Sequence, residues 1–139
     1  MKIREIMTRN VRMVSPDDSL RTAAQLMENE NFGALPISEN DRLVGMLSDR
    51  DIVIRAVARG LGSDQTKVRE VMTTDVKCVF DDESVEEVAR NMSALQVRRL
   101  PVVDRDRRLV GIVSLGDLAL AEPKSAGEAL ESISEPANH

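Results

Sequence analysis

Two pairs of residues, each a Ser followed three positions later by an Asp, have the chemistry to bind a polar ligand. Ser48 and Asp51 lie in RLVGMLSDRDIV, and Ser114 and Asp117 lie in RLVGIVSLGDLA. A carboxylate can accept charge-assisted hydrogen bonds from a ligand, and a Ser hydroxyl can donate or accept one more. The same spacing is typical of a capping box at a helix start. From local sequence alone, ligand binding and helix capping both remain open.

Other residues lack the spacing that catalysis requires. The single His, His139, is the last residue, and the single Cys, Cys78, lies in a predicted strand without a His or Cys partner. The sequence has no metal-ligand cluster, glycine-rich phosphate loop or nucleophile elbow. We therefore expect no catalytic residue, no metal and no catalytic cofactor, and we expect the chain not to be an enzyme.

Composition narrows the choice of partner. The chain has 139 residues, a net charge of -5, two Phe and no Trp or Tyr. An acidic chain with few aromatic rings is poorly suited to bind a phosphate backbone or to stack on bases, so no nucleic-acid partner is expected. The N-terminus has no apolar signal region, and the most apolar run is short and contains Asp117. These features, with a single Cys, predict a cytoplasmic protein that does not contact membranes.

The sequence contains one unit twice. IREIMT at residue 3 recurs as VREVMT at 68, LPIS at 35 recurs as LPVV at 100, and RLVG at 42 recurs at 108. Blocks repeated in the same order at near-constant spacing indicate a duplicated structural unit. We predict repeat one at residues 1–60, a linker at 61–67, repeat two at 68–121 and a polar C-terminal tail at 122–139.

Each repeat is predicted to contain a short helical start, a short strand, an amphipathic helix, a two-stranded hairpin and a second helix. The short strands are expected at 11–14 and 76–79, and Gly60 is expected to end the second helix of repeat one. Gly45 and Gly111 inside strands predict a bulge or a close backbone approach. The amphipathic helices carry apolar residues at helical spacing: Leu20, Ala23, Ala24 and Met27, then Val85, Val88, Ala89 and Met92. Ser84 and Glu87 predict a capping box.

The fold class is therefore α/β (α+β), with two β-α-β-β-α repeats packed sheet to sheet around a pseudo-two-fold axis. Residues 1 to 120 resemble a pair of cystathionine β-synthase (CBS) domains, the arrangement called a Bateman module. IMT and VMT, GALPI and RRLPV, and the two Ser-x-x-Asp stretches carry the resemblance. It implies a stand-alone regulatory module, of the kind used in energy sensing. Such a module binds AMP, ADP, ATP, NAD or S-adenosylmethionine in clefts between the repeats, forms homodimers and acts on a target protein not yet identified.

The resemblance also implies which residues form the two clefts, with each Asp as a ribose ligand. The Asp117 cleft would contain Ser114, Thr8, Val11, Arg12, Phe32, Gly33 and Ala34. The Asp51 cleft would contain Ser48, Thr73, Val76, Lys77, Val97, Arg98 and Arg99. Because Arg98 and Arg99 replace Gly33 and Ala34, this grouping predicts that the Asp51 cleft is better supplied for phosphate.

Structural explanations compete with each assignment. Val11, Phe32, Val76 and Val97 could be ordinary core residues, Thr8 and Thr73 could end helical turns, and the Arg and Lys residues could be surface charges. If the two Asp residues only cap helices, the chain is a ligand-free dimerisation or protein-interaction module.

Overall fold

The computed structural model describes residues 1–121 together with residues 127, 130, 131 and 133. The chain forms two compact units. The Asp51 unit comprises residues 12–76, and the Asp117 unit comprises residues 1–11 with the described residues from 77 onward. Apart from those four positions, the predicted polar tail at 122–139 lies outside the described residues, as does His139.

The Asp51 unit is built from one amphipathic helix, one hairpin and a second helical segment. Strands β1 (Ala34–Glu39) and β2 (Arg42–Ser48) are antiparallel, with a bulge between Ile37 and Ser38, so the predicted hairpin is confirmed. Gly60 has φ 73°, the left-handed conformation expected of a residue that ends a helix. The elements are α1 (Leu20–Glu30), β1 (Ala34–Glu39), β2 (Arg42–Ser48), α2 (Asp49–Ile52), a π-helix (Val53–Val57) and a 3-10 turn (Val68–Glu70).

The Asp117 unit repeats this order with one additional strand. Strand β3 pairs parallel with β4, and β4 pairs antiparallel with β5. Ser84 accepts a hydrogen bond from the Glu87 backbone N–H at 3.1 Å, which is the Ser half of the predicted capping box. The elements are a 3-10 turn (Ile3–Glu5), β3 (Val79–Phe80), α3 (Val85–Leu95), β4 (Arg99–Val103), β5 (Leu109–Ser114) and α4 (Leu115–Ala121).

The short strand predicted at 11–14 is wrong in extent. Only Val14 joins the sheet, through an isolated parallel bridge to Ile37. The Val11 N–H instead bonds to the Arg9 carbonyl at 2.9 Å, a tight local bend that takes this backbone away from a ladder. In the second repeat, the strand predicted at 76–79 is shifted to Val79–Phe80.

Each unit has its own aliphatic core, and the amphipathic helix supplies one side of it. In α1 the side chains of Leu20, Ala23 and Met27 are buried, whereas Ala24 is exposed. The prediction that Ala24 faces the core is therefore wrong, because the apolar stripe of α1 is narrower than that of α3. All four predicted positions of α3 are buried: Val85, Val88, Ala89 and Met92.

The leading segments of the repeats, residues 3–8 and 68–73, each pack in the unit that carries the other repeat's hairpin. Thr8 exchanges two backbone hydrogen bonds with Ile112, both at 2.9 Å. Thr73 exchanges two with Met46, at 2.8 and 2.9 Å. Each unit therefore contains residues from both repeats.

The same backbone contact occurs in both units, and it explains the glycines within the strands. A Cβ placed on Gly111 would lie 2.8 Å from the Thr8 carbonyl oxygen, and one on Gly45 would lie 3.0 Å from the Thr73 carbonyl oxygen. The predicted close backbone approach is confirmed at both positions, since only Gly leaves room for the leading segment.

Candidate functional site

Both Ser-x-x-Asp pairs form complete capping boxes. The Asp51 N–H donates to Ser48 Oγ at 3.0 Å, and the Ser48 N–H donates to Asp51 Oδ2 at 2.9 Å. The Asp117 N–H donates to Ser114 Oγ at 3.2 Å, and the Ser114 N–H donates to Asp117 Oδ2 at 2.9 Å. The sequence-based capping interpretation is therefore confirmed for both pairs.

Capping does not use up the hydrogen-bonding capacity of these carboxylates. An ionised carboxylate offers about four acceptor positions on its two oxygens. The return bond of the capping box occupies one position on Oδ2. All four side chains are partly exposed to solvent. The cap thus holds each carboxylate in a fixed orientation while leaving it able to accept further hydrogen bonds.

The two Thr residues lie where the sequence places them. Thr73 pairs with Met46, two residues before Ser48, and Thr8 pairs with Ile112, two residues before Ser114. The leading segment of one repeat therefore runs beside the strand that ends at the other repeat's Ser-x-x-Asp. The membership of Thr8 in the Asp117 cleft and of Thr73 in the Asp51 cleft stays a prediction.

The segments before the prolines lie beside the Ser-x-x-Asp of their own repeat. The Gly33 carbonyl accepts a hydrogen bond from the Asp49 N–H at 2.8 Å, and the Arg98 carbonyl accepts one from the Leu115 N–H at 3.0 Å. In the hairpins, Ala34 pairs with Ser48. The equivalent residue Arg99 pairs with Ser114.

The grouping of Phe32, Gly33 and Ala34 with Asp117, and of Val97, Arg98 and Arg99 with Asp51, stays a prediction. An antiparallel hairpin brings the start of its first strand beside the end of its second. Each of these segments consequently lies next to the Ser-x-x-Asp of its own repeat, and the two Arg residues belong to the Asp117 unit.

The residues following the leading segments divide between the units. Val11 lies in the Asp117 unit and Val76 in the Asp51 unit, and both are half-buried. Arg12 lies in the Asp51 unit and Lys77 in the Asp117 unit, because the chain passes from one unit to the other after Val11 and after Val76. Arg12 Nε makes an exposed ion pair with Glu30 Oε1 at 3.2 Å, which favours the surface-charge explanation for this Arg.

Sequence reasoning missed two residues beside the candidate site. Asp49 follows Ser48, and a Cβ placed on Gly33 would lie 3.1 Å from its Oδ2. Arg55 donates through Nη1 to the Val71 carbonyl at 3.2 Å and the Met72 carbonyl at 3.4 Å. Neither residue matches a motif, and a charged residue on a helical segment is usually a surface residue. The hairpin register was the only signal that could have identified Asp49.

The other acidic residues before the helices have structural partners. Arg69 donates two hydrogen bonds to Asp17 Oδ1, which lowers the pKa of that carboxyl group. Arg105 donates one hydrogen bond to each carboxylate oxygen of Asp82 and lowers the pKa of that group. Burial raises the pKa of Glu83, and its Oε2 atom is buried without a hydrogen-bond partner.

The described part of the chain also bears on other kinds of site. Within residues 1–121 and the four described positions beyond them, no group of three or more His, Cys, Asp or Glu side chains could hold a metal ion. In the same part of the chain, every helix is too short or too polar to cross a bilayer.

Comparison with known proteins places this geometry in context. The family model for the CBS domain matches residues 3–57 and 68–124. The CBS domain-containing protein YhcV of Bacillus subtilis is 45% identical over 134 residues, covering 95% of this chain and 94% of YhcV.

Two solved structures of similar chains contain adenosyl ligands. The crystal structure of CBSX2 in complex with AMP has a TM-score of 0.75 and 29% identity, and the match covers 88% of this chain and 96% of CBSX2. The CBS domain pair of MJ0100, in complex with 5′-methylthioadenosine and S-adenosylmethionine, has a TM-score of 0.72 and 30% identity. That match covers 89% of this chain and 97% of the MJ0100 chain.

Proposed function

The chain belongs to the CBS domain family, and from that premise we propose that it is a regulatory module that binds adenosyl ligands at its two Ser-x-x-Asp pairs. The observation that carries the proposal is the fixed, partly exposed carboxylate in each unit, Asp51 and Asp117. Two relatives of similar fold bind AMP or 5′-methylthioadenosine and S-adenosylmethionine, which supports the same ligand class here.

In the proposed complex, each carboxylate accepts hydrogen bonds from the ribose hydroxyls and the neighbouring Ser hydroxyl supplies another. Charge-assisted hydrogen bonds of this kind are about twice as strong as neutral ones. The capping box holds the carboxylate in position before the ligand arrives, so little side-chain entropy is lost on binding. Thr8 and Thr73 lie beside the strands that lead into these pairs, and the half-buried Val11 and Val76 supply apolar surface for the base.

Regulation requires that the ligand bind two conformational states with different affinity. The leading segments are suitable elements for such a change, because each is held by a two-bond backbone pair to the strand that precedes a Ser-x-x-Asp. A ligand that contacts both the leading segment and the carboxylate would favour the paired state, which a target protein could then detect.

Calorimetric titration with AMP, ADP, ATP, NAD, S-adenosylmethionine and 5′-methylthioadenosine tests the proposal. We expect at least one of them to bind, and we expect Asp51→Ala combined with Asp117→Ala to abolish binding. Because both Asp residues also cap helices, the double Asn variant, which retains an acceptor oxygen for the cap, controls for loss of structure. Binding that survives intact in the double Ala variant would contradict the proposed sites.

We also propose that the module forms a homodimer. Val53, Ile54 and Val57 on the π-helical segment are 57%, 47% and 66% exposed, and Leu120 on α4 is 90% exposed. Large apolar side chains clustered on one exposed segment are typical of an interface, and closed two-fold pairing is its commonest form. Sedimentation analysis should give a dimer for the wild type and a monomer for Val57→Glu. Exposed Gln25 provides the control substitution Gln25→Glu, which should leave the dimer intact.

The competing function is a dimerisation or interaction module without a small ligand. It is favoured by one observation, the complete capping boxes, since these alone explain why Ser and Asp occur at this spacing. A folded dimer that binds none of the titrated ligands would support this alternative over the adenosyl-binding function.

A further inference from the structure

The two candidate sites share one backbone frame and can be compared residue by residue. Gly33 and Arg98 occupy the same place, because the carbonyl of each accepts a hydrogen bond from the residue that follows the Ser of its own repeat. Ala34 and Arg99 also match, since they pair with Ser48 and Ser114 respectively. Differences in side chain at these positions are therefore differences in the surroundings of Asp51 and Asp117.

The charge at the first pair of matched positions differs between the two carboxylates. In the Asp51 unit, Gly33 has no side chain, and the Asp49 carboxylate lies next to the position that a side chain would occupy. Its Oδ2 atom would be 3.1 Å from a Cβ placed on Gly33. In the Asp117 unit, Arg98 replaces Gly33, and Leu115 replaces Asp49. A cation thus stands in one unit where an anion stands in the other.

The next pair of positions extends this difference. Arg50 of the Asp51 unit is replaced by Gly116 in the Asp117 unit, and Ala34 is replaced by Arg99. The four matched positions therefore carry one positive and one negative charge around Asp51, but two positive charges and no negative charge around Asp117. Asp49 and Arg98 are both exposed, so a ligand in the solvent can approach them.

Resting on the proposed adenosyl-binding function, we infer that the two sites select different ligands by the charge of the 5′ substituent. The Asp117 site takes adenosyl ligands with a 5′-phosphate, because a phosphate monoester carries a charge of about -1.5 to -2 at pH 7 and pairs well with Arg. The Asp51 site takes adenosyl ligands whose 5′ substituent is neutral or positive, because Asp49 repels phosphate there. This assignment reverses the phosphate preference predicted from the sequence, since the hairpin register places the Arg residues with Asp117.

The test isolates each site and compares two ligands that differ at the 5′ position. Asp51→Ala leaves only the Asp117 site, and Asp117→Ala leaves only the Asp51 site. Each variant is titrated with AMP and with uncharged 5′-methylthioadenosine. We expect AMP to bind at least about tenfold more tightly than 5′-methylthioadenosine at the Asp117 site, and the order to be reversed at the Asp51 site. The corresponding Asn variants replace any Ala variant that does not fold.

Charge variants then assign the preference to named residues. In the Asp51→Ala background, Arg98→Gln should weaken AMP about five- to tenfold and leave 5′-methylthioadenosine unchanged. Arg90→Gln removes the same charge from the exposed face of α3 and should change neither affinity. In the Asp117→Ala background, Asp49→Leu should strengthen AMP about fivefold, because it recreates the residue found in the other repeat.

The outcomes separate this inference from the proposed function. If the two isolated sites bind and have the same ratio of AMP affinity to 5′-methylthioadenosine affinity, charge selection is overturned but adenosyl binding is retained. If neither of these ligands nor any member of the wider ligand set binds the folded wild-type protein, both charge selection and the proposed adenosyl-binding function are overturned.

Discussion

Replacing Gly111 with Ala should destabilise the chain because the leading segment lies directly against this glycine. An added Cβ would lie 2.7 Å from Met7 Sδ and 2.8 Å from the Thr8 carbonyl oxygen. The Met7 side chain can move, but the Thr8 carbonyl is backbone and is held by the Ile112 N–H at 2.9 Å. The leading segment must therefore shift away from β5.

Two effects set the magnitude. Overpacking of a tight contact costs about 1–3 kcal/mol, and weakening the two Thr8–Ile112 hydrogen bonds costs about 0.5–1.5 kcal/mol each. Ala also restricts the unfolded chain, which stabilises by about 0.4–1 kcal/mol and offsets part of the loss. We expect a net loss of about 2–3 kcal/mol, a large share of the roughly 5–15 kcal/mol typical of a folded domain.

Urea denaturation followed by far-UV circular dichroism is the suitable assay, because the chain has no Trp or Tyr to report by fluorescence. With a urea dependence of about 2 kcal/mol per molar, the midpoint should fall by about 1–1.5 M. Gly45→Ala should behave similarly, since its added Cβ would lie 3.0 Å from the Thr73 carbonyl oxygen.

Gly116→Ala is the matched control. Its added Cβ would lie 3.5 Å from Ser114 Oγ, an ordinary contact, and Ala favours the helix in which it lies. This variant should be neutral or slightly stabilising. If Gly111→Ala and Gly45→Ala shift the midpoint no more than Gly116→Ala, the described packing of the leading segments is incorrect.

Two further predictions concern residues outside the Ser-x-x-Asp pairs. Arg55→Ala should lower the free energy of unfolding by about 1 kcal/mol and speed hydrogen exchange at residues 71–73, because it removes the hydrogen bonds to the Val71 and Met72 carbonyls. The substitution Arg59→Ala, at an exposed Arg, is the control. Equal exchange rates in the two variants would contradict the role of Arg55. For Glu83, burial raises the pKa in the folded state above its usual 4.5, so a penalty appears as pH rises through that value and is absent below it. Glu83→Gln should therefore gain stability relative to wild type between pH 4 and pH 7, measured by urea midpoints, whereas a pH-independent difference would show that Glu83 is not perturbed.

The secondary structure could be predicted because the repeat and the local signals agree. The helices at Leu20–Glu30 and Val85–Leu95 follow from apolar spacing and a Ser at each N-cap. The hairpins follow from two β-rich runs separated by a polar turn. The strand at 11–14 was mispredicted because Val-rich composition does not reveal that the Val11 N–H bonds locally. The π-helix at Val53–Val57 has no sequence signal that separates it from an α-helix.

The candidate site could be predicted in part. The paired carboxylates were predicted because the repeat shows the same residue types twice, and the Thr residues were predicted from the family resemblance. The antiparallel register of the hairpin places Arg99 opposite Ser114, a proximity that the resemblance alone did not indicate. Asp49 was missed because its importance depends on the absence of a side chain at Gly33, and such a relation between two distant positions cannot be seen in either position alone.

The most direct test of adenosyl binding at the two Ser-x-x-Asp pairs is calorimetric titration of the wild type and of the double variant Asp51→Ala, Asp117→Ala, with folding verified by circular dichroism. The proposal predicts that an adenosyl ligand binds the wild type and does not bind the folded double variant. A folded wild-type protein that binds none of the adenosyl ligands, or a double variant that binds them with unchanged affinity, would contradict it.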